Sequence, residues 1–361
     1  MKKGNHLFKF NWTMRDDYPK ERNGYKVFSC FAGGGGSTMG YKLAGYDVIG
    51  CNEIDKKMIN AYILNHNPKY VFDDMIQDFK NKKNLPKKLY DLDILDGSPP
   101  CSTFSMVGNR ENDWGRKRKF SEGQCEQILD TLFFDFIDLT GKLQPKVVIA
   151  ENVKGLLIGN AIKYVDRIRQ AFLKAGYHVE KWLLDASKMG IPQKRERVFF
   201  IAIRKDLIDK INKKQLGIFN PIPYINMSFN EPKIVLNDIL NIVKLTKKEK
   251  KELWITSEIQ KKYWNLIKEG ESYSKVSPKG NYFGFKKLHR NSISPTLMTM
   301  SKYIIHPIEC RRFHVKEWCL LGTFPTDYQN LTYYIIGMSV PPVMIAQVAR
   351  RVQIYWLDRL K

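Results

Sequence analysis

The sequence predicts an α/β fold with a mostly parallel sheet. Three observations carry that prediction. From about residue 25 the chain alternates short β-branched runs with segments of helical periodicity, as successive strand–helix–strand units do. Where the first strand hands over to the first helix stands a glycine-rich turn, Phe31-Ala-Gly-Gly-Gly-Gly-Ser37, followed about 20 residues on by the acidic Glu53. Side chains with chemistry then recur where strands end, at Pro99-Pro100-Cys101 and at Ala150-Glu151-Asn152-Val153. The carboxyl edge of an open α/β sheet is where ligands collect.

In chain order, Lys26 to Phe31 reads as a buried first strand and Ser37 to Ala44 as the helix after the turn. Tyr46 to Cys51 is the second strand, and Leu92 to Leu95 is a strand running into the turn at Gly97-Ser98-Pro99-Pro100. Apolar residues at helical spacing predict a helix over Ile128 to Leu139. Val147 to Ala150 is a strand after the breaker Pro145, and Val198 to Ile203 a further one. No internal repeat is visible. After about Arg204 the periodicity fades, and residues 204–290 hold 19 Lys/Arg against 9 Asp/Glu with aromatics interleaved. A loop-rich insertion with a basic binding face reads this way, and so does a solvated lysine-rich surface. Regular patterns return after Cys310, where Tyr334 to Trp356 reads as a strand, a turn and an amphipathic helix.

A formal charge of +23 points to a polyanionic partner, because such self-repulsion calls for something negative to offset it. Nucleic acid comes first and an anionic membrane surface second. No apolar run reaches the roughly 18 residues that span a bilayer. The N-terminus lacks the pattern of a signal peptide, so a cytoplasmic protein is expected. The six cysteines show no CxxC spacing, which makes a zinc site unexpected; no metal is predicted.

The glycine turn suits close approach of a ligand to the backbone, and the helix N-terminus behind it suits an anionic group. A carboxylate at Glu53 accepts ribose hydroxyls in nucleotide-binding folds, so the constellation indicates a nucleoside cofactor without distinguishing a nicotinamide from S-adenosylmethionine. Two prolines before Cys101 fix its backbone, and the polar segment after it contains Arg116-Lys117-Arg118-Lys119. Cationic neighbours favour the thiolate, although a lone cysteine after prolines also reads as structural. Gln193-Lys-Arg-Glu-Arg197 precedes a strong strand; alone it is a charge run.

Together and in order, FAGGGG (31–36), NEID (52–55), GSPPCSTFS (97–105), AENV (150–153), IPQKRERV (191–198) and GMSVPP (337–342) resemble the cytosine-C5 DNA methyltransferase family, of the bacterial restriction-modification type. RRFHVKEWCLLGTFP (311–325) is similar to the family's penultimate motif. The match covers roughly residues 25–205 and 305–361, leaving the basic middle where the family's target-recognition region lies. The resemblance implies a Rossmann-like methyltransferase sheet with helices on both faces and a smaller, irregular recognition domain. It divides the chain into an N-terminal extension (1–24), a catalytic and cofactor domain (25–205), a target-recognition domain (206–305) and a return segment (306–361).

The same resemblance implies Cys101 as the nucleophile at cytosine C6, Glu151 on N3 and the exocyclic amine, Arg197 on O2, and Arg195 in support. The cofactor it implies is S-adenosylmethionine, with S-adenosylhomocysteine as product. Phe31, Gly33, Gly35 and Gly36 would hold it, with Glu53 on the ribose, Ile54, Asp74 and Met75 at the adenine, and Pro100 and Ser339 bordering the site. Double-stranded DNA is the implied partner of a monomeric enzyme, with Ser102, Arg116, Lys117, Arg118, Lys119, Lys286, Lys287, Arg290 and Thr296 as candidate contacts and a restriction endonuclease acting separately. Four positions depart from the family: Ser29 and Met338 replace the usual Asp and Asn, Ser102 replaces Gln, and His314 replaces Thr. Ser29 is expected to lose a polar contact.

Three other readings stand beside this one. A tRNA cytosine methyltransferase shares the motif set but carries a Cys-Phe-Thr tripeptide absent here. A nicotinamide-dependent oxidoreductase accounts for the glycine turn and Glu53 but not for Pro-Pro-Cys or the charge. A catalytically inactive DNA-binding protein accounts for the charge but not for intact Cys101, Glu151 and Arg197.

Overall fold

The computed structural model describes residues 6–100, 131–158, 161–215, 222–282 and 284–361, with the backbone of two short strands, Lys117–Arg118 and Gln127–Ile128. Cys101, Ser102, Arg116 and Lys119 lie outside the described residues. Lys117 and Arg118 enter only as backbone, paired antiparallel with Gln127–Ile128.

Contacts divide the chain into two compact units. The larger comprises Tyr18–Asp185, Glu196–Phe229 and Met344–Lys361. Its centre is a seven-stranded sheet in which β1 (Lys26–Cys30), β2 (Asp47–Asn52), β3 (Tyr70–Phe72), β4 (Ile94–Gly97), β5 (Val147–Val153), β6 (Tyr177–Asp185) and β7 (Glu196–Arg204) lie in the order β3-β2-β1-β4-β5-β7-β6. The first five are parallel, and β7 runs antiparallel to both β5 and β6. Strand order therefore reverses between β1 and β4, which opens a crevice at the carboxyl ends of those two strands. The glycine turn leaves β1 there, and Pro99-Pro100 leaves β4.

Alternation along the strands decides what covers each face. Phe28 and Cys30 of β1 join Leu95, Val148 and Phe200 in a buried cluster beneath α3 (Ile76–Asn81), α4 (Leu132–Leu143) and α5 (Ile162–Lys174), which contribute Phe79, Phe136 and Phe172. Each such aromatic or aliphatic side chain stabilises the fold by about 1.5–3 kcal/mol on burial. The opposite face receives α1 (Gly36–Leu43) and α2 (Lys56–His66), where Cys51 and Tyr62 pack with Ala32. Asp55 caps α2 by accepting from the Lys57 and Met58 amides, so the chain turns into the helix directly after Glu53 and Ile54. Tyr46 donates to the Ala349 carbonyl and Tyr25 to Asp358, which ties the C-terminal residues to this unit.

The smaller unit contains the described residues before Tyr18, Ala186–Arg195 and Asn230–Val343. It is built from short helices, among them Leu236–Ile242, Lys247–Glu252 and Glu258–Leu266, and a two-residue parallel pair, Lys286–Lys287 with Ile304–Ile305. Its apolar cluster is small: Ile255, Ile267, Tyr273 and Ile305, wrapped by Tyr263, Trp264, Tyr282 and Phe285. Elements of one to three turns explain why no period is visible in this part of the sequence.

Two sequence expectations are corrected. The run from Tyr334, read as a strand, is the helix Tyr333–Met338, because Thr332 caps it by accepting from the Ile335 amide and the helix buries Ile335 and Ile336 together. Burial outweighs the β preference of aromatic and β-branched residues. The helix expected from Ile128 begins at Leu132, since Gln127–Ile128 is strand. Among the described residues no helix is long and apolar enough to cross a membrane.

Candidate active site

The turn after β1 is shaped by three residues in the left-handed region: Phe31 (φ 52°), Gly33 (54°) and Gly35 (88°). At Gly35 only glycine fits, for a Cβ would stand 2.1 Å from Nε2 of His66. His66, unremarked in the sequence, fills the space under the turn; burial first, then Lys42, lowers its pKa to about 3, so the ring is neutral. Above the turn the opposite holds among the described residues, where a Cβ on Gly33 would meet nothing within 4 Å. The turn is thus sealed below and open above.

Glu53 stands at the mouth of that opening, 8% exposed. Its Oε2 accepts from the Gly33 amide at 2.7 Å and its Oε1 from the Asp55 amide at 2.8 Å. Burial raises its pKa, while the amides of Asp55 and Gly33 oppose that rise. With the Ile54 amide acting on it as well, the carboxylate still has more acceptor sites than backbone donors. Ile54, Asp74, Met75 and Pro100 are all half-buried in the same unit. Asn52 fixes the approach to two of them by donating to the Asp74 carbonyl at 2.8 Å, and Met75 precedes α3 as its cap. A fixed carboxylate beside open space over a glycine turn fits a nucleoside cofactor.

At the end of β4, Asn152 donates to the Pro99 carbonyl at 3.2 Å and anchors the Pro-Pro segment to β5. Its neighbour Glu151 is buried and pairs with Arg197, Nε to Oε1 at 2.9 Å. The pair arises from register: Glu151 faces Phe199 and Val153 faces Arg197 across β5 and β7, so Glu151 and Arg197 are diagonal neighbours. Burial lowers the Arg197 pKa and Glu151 opposes that fall. Two residues that are ordinary charges in the sequence become a desolvated ion pair at the sheet's carboxyl edge.

Arg195 falls in the smaller unit. It is buried, and Nη1 donates to the Leu297 carbonyl at 3.1 Å and Nη2 to that of Gly337 at 3.0 Å. Gln193 adds a bond from its side-chain nitrogen to the Leu321 carbonyl and accepts from the Leu297 amide. Thr296 is exposed, and its hydroxyl donates to the Lys194 carbonyl at 2.7 Å. Ser339 ends the helix Tyr333–Met338 in this same unit, after an exposed Met338.

Of the basic candidates, Lys286 is exposed and Arg290 is exposed but paired with Glu269. Lys287 departs from expectation. It is buried, its Nζ lies 3.8 Å from the Trp264 ring centroid, and it donates to the Trp264 and Ile267 carbonyls. The strand pairing with Ile305 turns it inward, so its charge is spent inside the unit. Ser29 makes a polar contact of its own: its hydroxyl donates to Asp96 at 2.6 Å.

A doubly wound sheet with a glycine turn and a buried carboxylate at its switch point, and an ion pair at the end of the next strand, has the architecture of a nucleotide-binding α/β protein. The fold is shared with a DNA modification methyltransferase encoded within an Escherichia coli prophage, with a TM-score of 0.65 at 20% identity over 92% of this chain and 99% of that one. Dnmt2 methyltransferase of S. pombe gives 0.59 at 15% identity, over 91% and 98%. In sequence, type II methyltransferase M.Eco47II of Escherichia coli is 28% identical across 98% of this chain and 84% of its own length. Type II methyltransferase M.NgoFVII of Neisseria gonorrhoeae is 27% identical across 91% and 86%. The family described as C-5 cytosine-specific DNA methylase matches residues 25–354, and the chain belongs to it. It is a DNA methyltransferase acting at carbon 5 of cytosine.

Proposed function

We propose that this protein transfers a methyl group from S-adenosylmethionine to C5 of a cytosine swung out of duplex DNA at a specific sequence, through a transient bond between Cys101 and C6. The observation that carries this reading is the buried Glu151–Arg197 pair at the carboxyl edge of the sheet. When bound, S-adenosylmethionine supplies an electrophilic methyl group on a sulfonium. Phe31, Gly33, Gly35 and Gly36 would cradle it, Glu53 would accept from the ribose hydroxyls, Ile54, Asp74 and Met75 would flank the adenine, and Pro100 and Ser339 would border the site.

Cys101 as thiolate adds to C6, and the ring's electrons then make C5 nucleophilic. Glu151 holds N3 and the exocyclic amine, and Arg197 binds O2, where charge develops. After C5 is methylated, water takes the C5 proton, the C6–S bond breaks and the Cys101 thiolate is regenerated. Arg195, bonded to the Leu297 and Gly337 carbonyls, braces the loop before β7. A base inside a duplex must leave the stack to reach such a site.

Residues 206–305 are assigned to target recognition, with Lys286, Arg290 and Thr296, and Ser102 with Arg116 to Lys119, as DNA contacts. The names of M.Eco47II and M.NgoFVII support a type II modification role. The same reading takes the chain as a monomer and any restriction endonuclease as a separate protein. The family's description favours DNA over tRNA as substrate.

Sequencing the methylated cytosines in DNA from cells expressing the chain identifies the target. A duplex with 5-fluorocytosine at that position cannot release the C5 substituent as a proton, so a denaturant-resistant protein–DNA adduct is expected, and Cys101→Ser should form none. Full methylation by Cys101→Ala would overturn the mechanism.

A further inference from the structure

Asp96 lies on β4, five residues before Cys101, and is 2% exposed. The hydrogen bonds to its carboxylate come from hydroxyls. Oδ2 accepts from Ser29 at 2.6 Å and Oδ1 from Tyr41 at 3.1 Å, and the Ser37 hydroxyl adds a weaker favourable interaction. Ser29 and Asp96 are paired directly in the parallel ladder of β1 and β4, so both project toward the face that α1 covers. Tyr41 and Ser37 reach the same point from α1, Ser37 from its first turn. One carboxyl group thus gathers the strand before the glycine turn, the helix after it and the strand that leads to Cys101.

Such an arrangement carries a cost. Burial pushes Asp96 up to about 7 against all three donors, with Glu151 adding repulsion. The other titratable groups that register its charge are Cys30 on β1 and Tyr62 on α2. No cation accompanies it among these. A neutral residue of the same shape would escape that cost of burial. Position 29, its ladder partner, is where the family resemblance places an aspartate.

We propose that Asp96 is a positioning residue for the cofactor turn, supplying from β4 the carboxylate that an aspartate at position 29 would supply from β1. Its bonds fix the distance between the ends of β1 and β4 and the direction in which α1 leaves the turn. The proposal rests on the reading that this turn receives S-adenosylmethionine.

The test uses the full chain, S-adenosylhomocysteine binding by calorimetry and methyl-transfer kinetics. Asp96→Asn should raise the Kd of S-adenosylhomocysteine and the KM of S-adenosylmethionine about tenfold, the scale of one lost hydrogen bond to a charged group. The kcat should stay within about twofold and DNA affinity should not move, as fits loss of binding common to ground and transition states. At about pH 8, above the folded pKa, the variant should be no less stable to urea than wild type, because the buried charge is gone. Moving the carboxylate, with Ser29→Asp and Asp96→Ser together, should recover most of the affinity. Unchanged S-adenosylhomocysteine binding by Asp96→Asn would overturn the proposal. So would a parallel fall in DNA affinity and urea midpoint, which marks a merely structural residue. Should the exchanged pair fail to fold, Tyr41→Phe, which removes one donor and keeps the ring, must weaken binding to an intermediate degree. Wild-type chain that binds no S-adenosylhomocysteine would instead sink the cofactor reading itself.

Discussion

Two buried arginine–glutamate pairs, one in each unit, differ in how completely they are used. In the smaller unit Arg311 makes a two-pronged pair with Glu317, both bonds at 2.8 Å, gives Nε to Glu309 at 2.6 Å and Nη1 also to the Arg312 carbonyl at 3.0 Å. Glu317 in turn accepts the His314 amide at 2.7 Å and so caps the helix Val315–Leu321. In the larger unit Arg197 meets Glu151 by a single Nε contact and gives Nη1 to its neighbour's carbonyl. Among the described residues, Nη2 of Arg197 and Oε2 of Glu151 have no hydrogen-bond partner. A saturated pair has nothing left for a ligand and serves the fold. The unsaturated pair is less deeply buried and, among the described residues, keeps one donor edge and one acceptor edge, which suits the contacts proposed to a cytosine's O2 and amino side.

The contrast breaks most visibly if each pair is cut. Arg311→Met leaves Glu317 buried without its cation, while Glu309 keeps Lys250, and about 3–5 kcal/mol of stability should be lost. Urea unfolding measures it, and a loss under about 1 kcal/mol would mean that the network is not structural. Methyl transfer per folded molecule should hardly change. Glu151→Gln should do the reverse. Its kcat should fall about 10²–10³-fold, equivalent to about 2.7–4 kcal/mol, with the urea midpoint nearly unmoved. Steady-state kinetics on DNA of the mapped sequence checks this, and an activity within threefold of wild type would remove Glu151 from the site.

Acid sharpens the same comparison. His306 lies beside the saturated pair, and its Nδ1 accepts from the Ile308 and Glu309 amides at 3.2 and 3.0 Å. That nitrogen can be protonated only by breaking both bonds. Burial first and Arg311 second lower the pKa to about 3, so the neutral ring faces Glu317. A histidine depressed in the folded state stabilises above its unfolded pKa of about 6.5, and the contribution drains away as pH falls toward the folded value. Between about pH 6 and 4 the difference in unfolding free energy between wild type and His306→Asn should shrink by up to about 1.4 kcal/mol per pH unit. A constant difference would show that the ring titrates normally.

How much of this was legible follows from where each signal resides. The glycine turn, Glu53 and the Pro-Pro segment are local, and sequence reading places them at the ends of β1, β2 and β4, where they lie. Glu151 and Arg197 were separately visible, but their contact depends on the antiparallel register of β5 and β7, which no local pattern encodes. β3 and β6 went unseen because one is three residues long and the other mixes polar residues throughout, as edge strands do. Asp96 and His66 gave no sign, since a carboxylate in a strand and a histidine at a helix end acquire meaning only from what packs on them. Lys287 shows the limit from the other side: next to Lys286 in the sequence, it is opposite to it in space.

That last pair yields the smallest effect. Lys286 and Lys287 are consecutive strand residues, so one side chain faces out and the other in. If Lys286 neutralises a phosphate, Lys286→Ala should weaken DNA binding a few-fold and lower the log–log salt slope by about 0.9. Lys287→Met should leave both the affinity and the slope alone. It should instead cost about 0.5–2 kcal/mol of stability, the range for a desolvated cation over an aromatic face, because its ammonium bridges Trp264 and two backbone carbonyls. Fluorescence titrations of labelled duplex at several salt concentrations, with urea melts of the same proteins, separate the two lysines. An equal change of slope for both would mean that Lys287 leaves its pocket when DNA arrives, and that the smaller unit rearranges on binding.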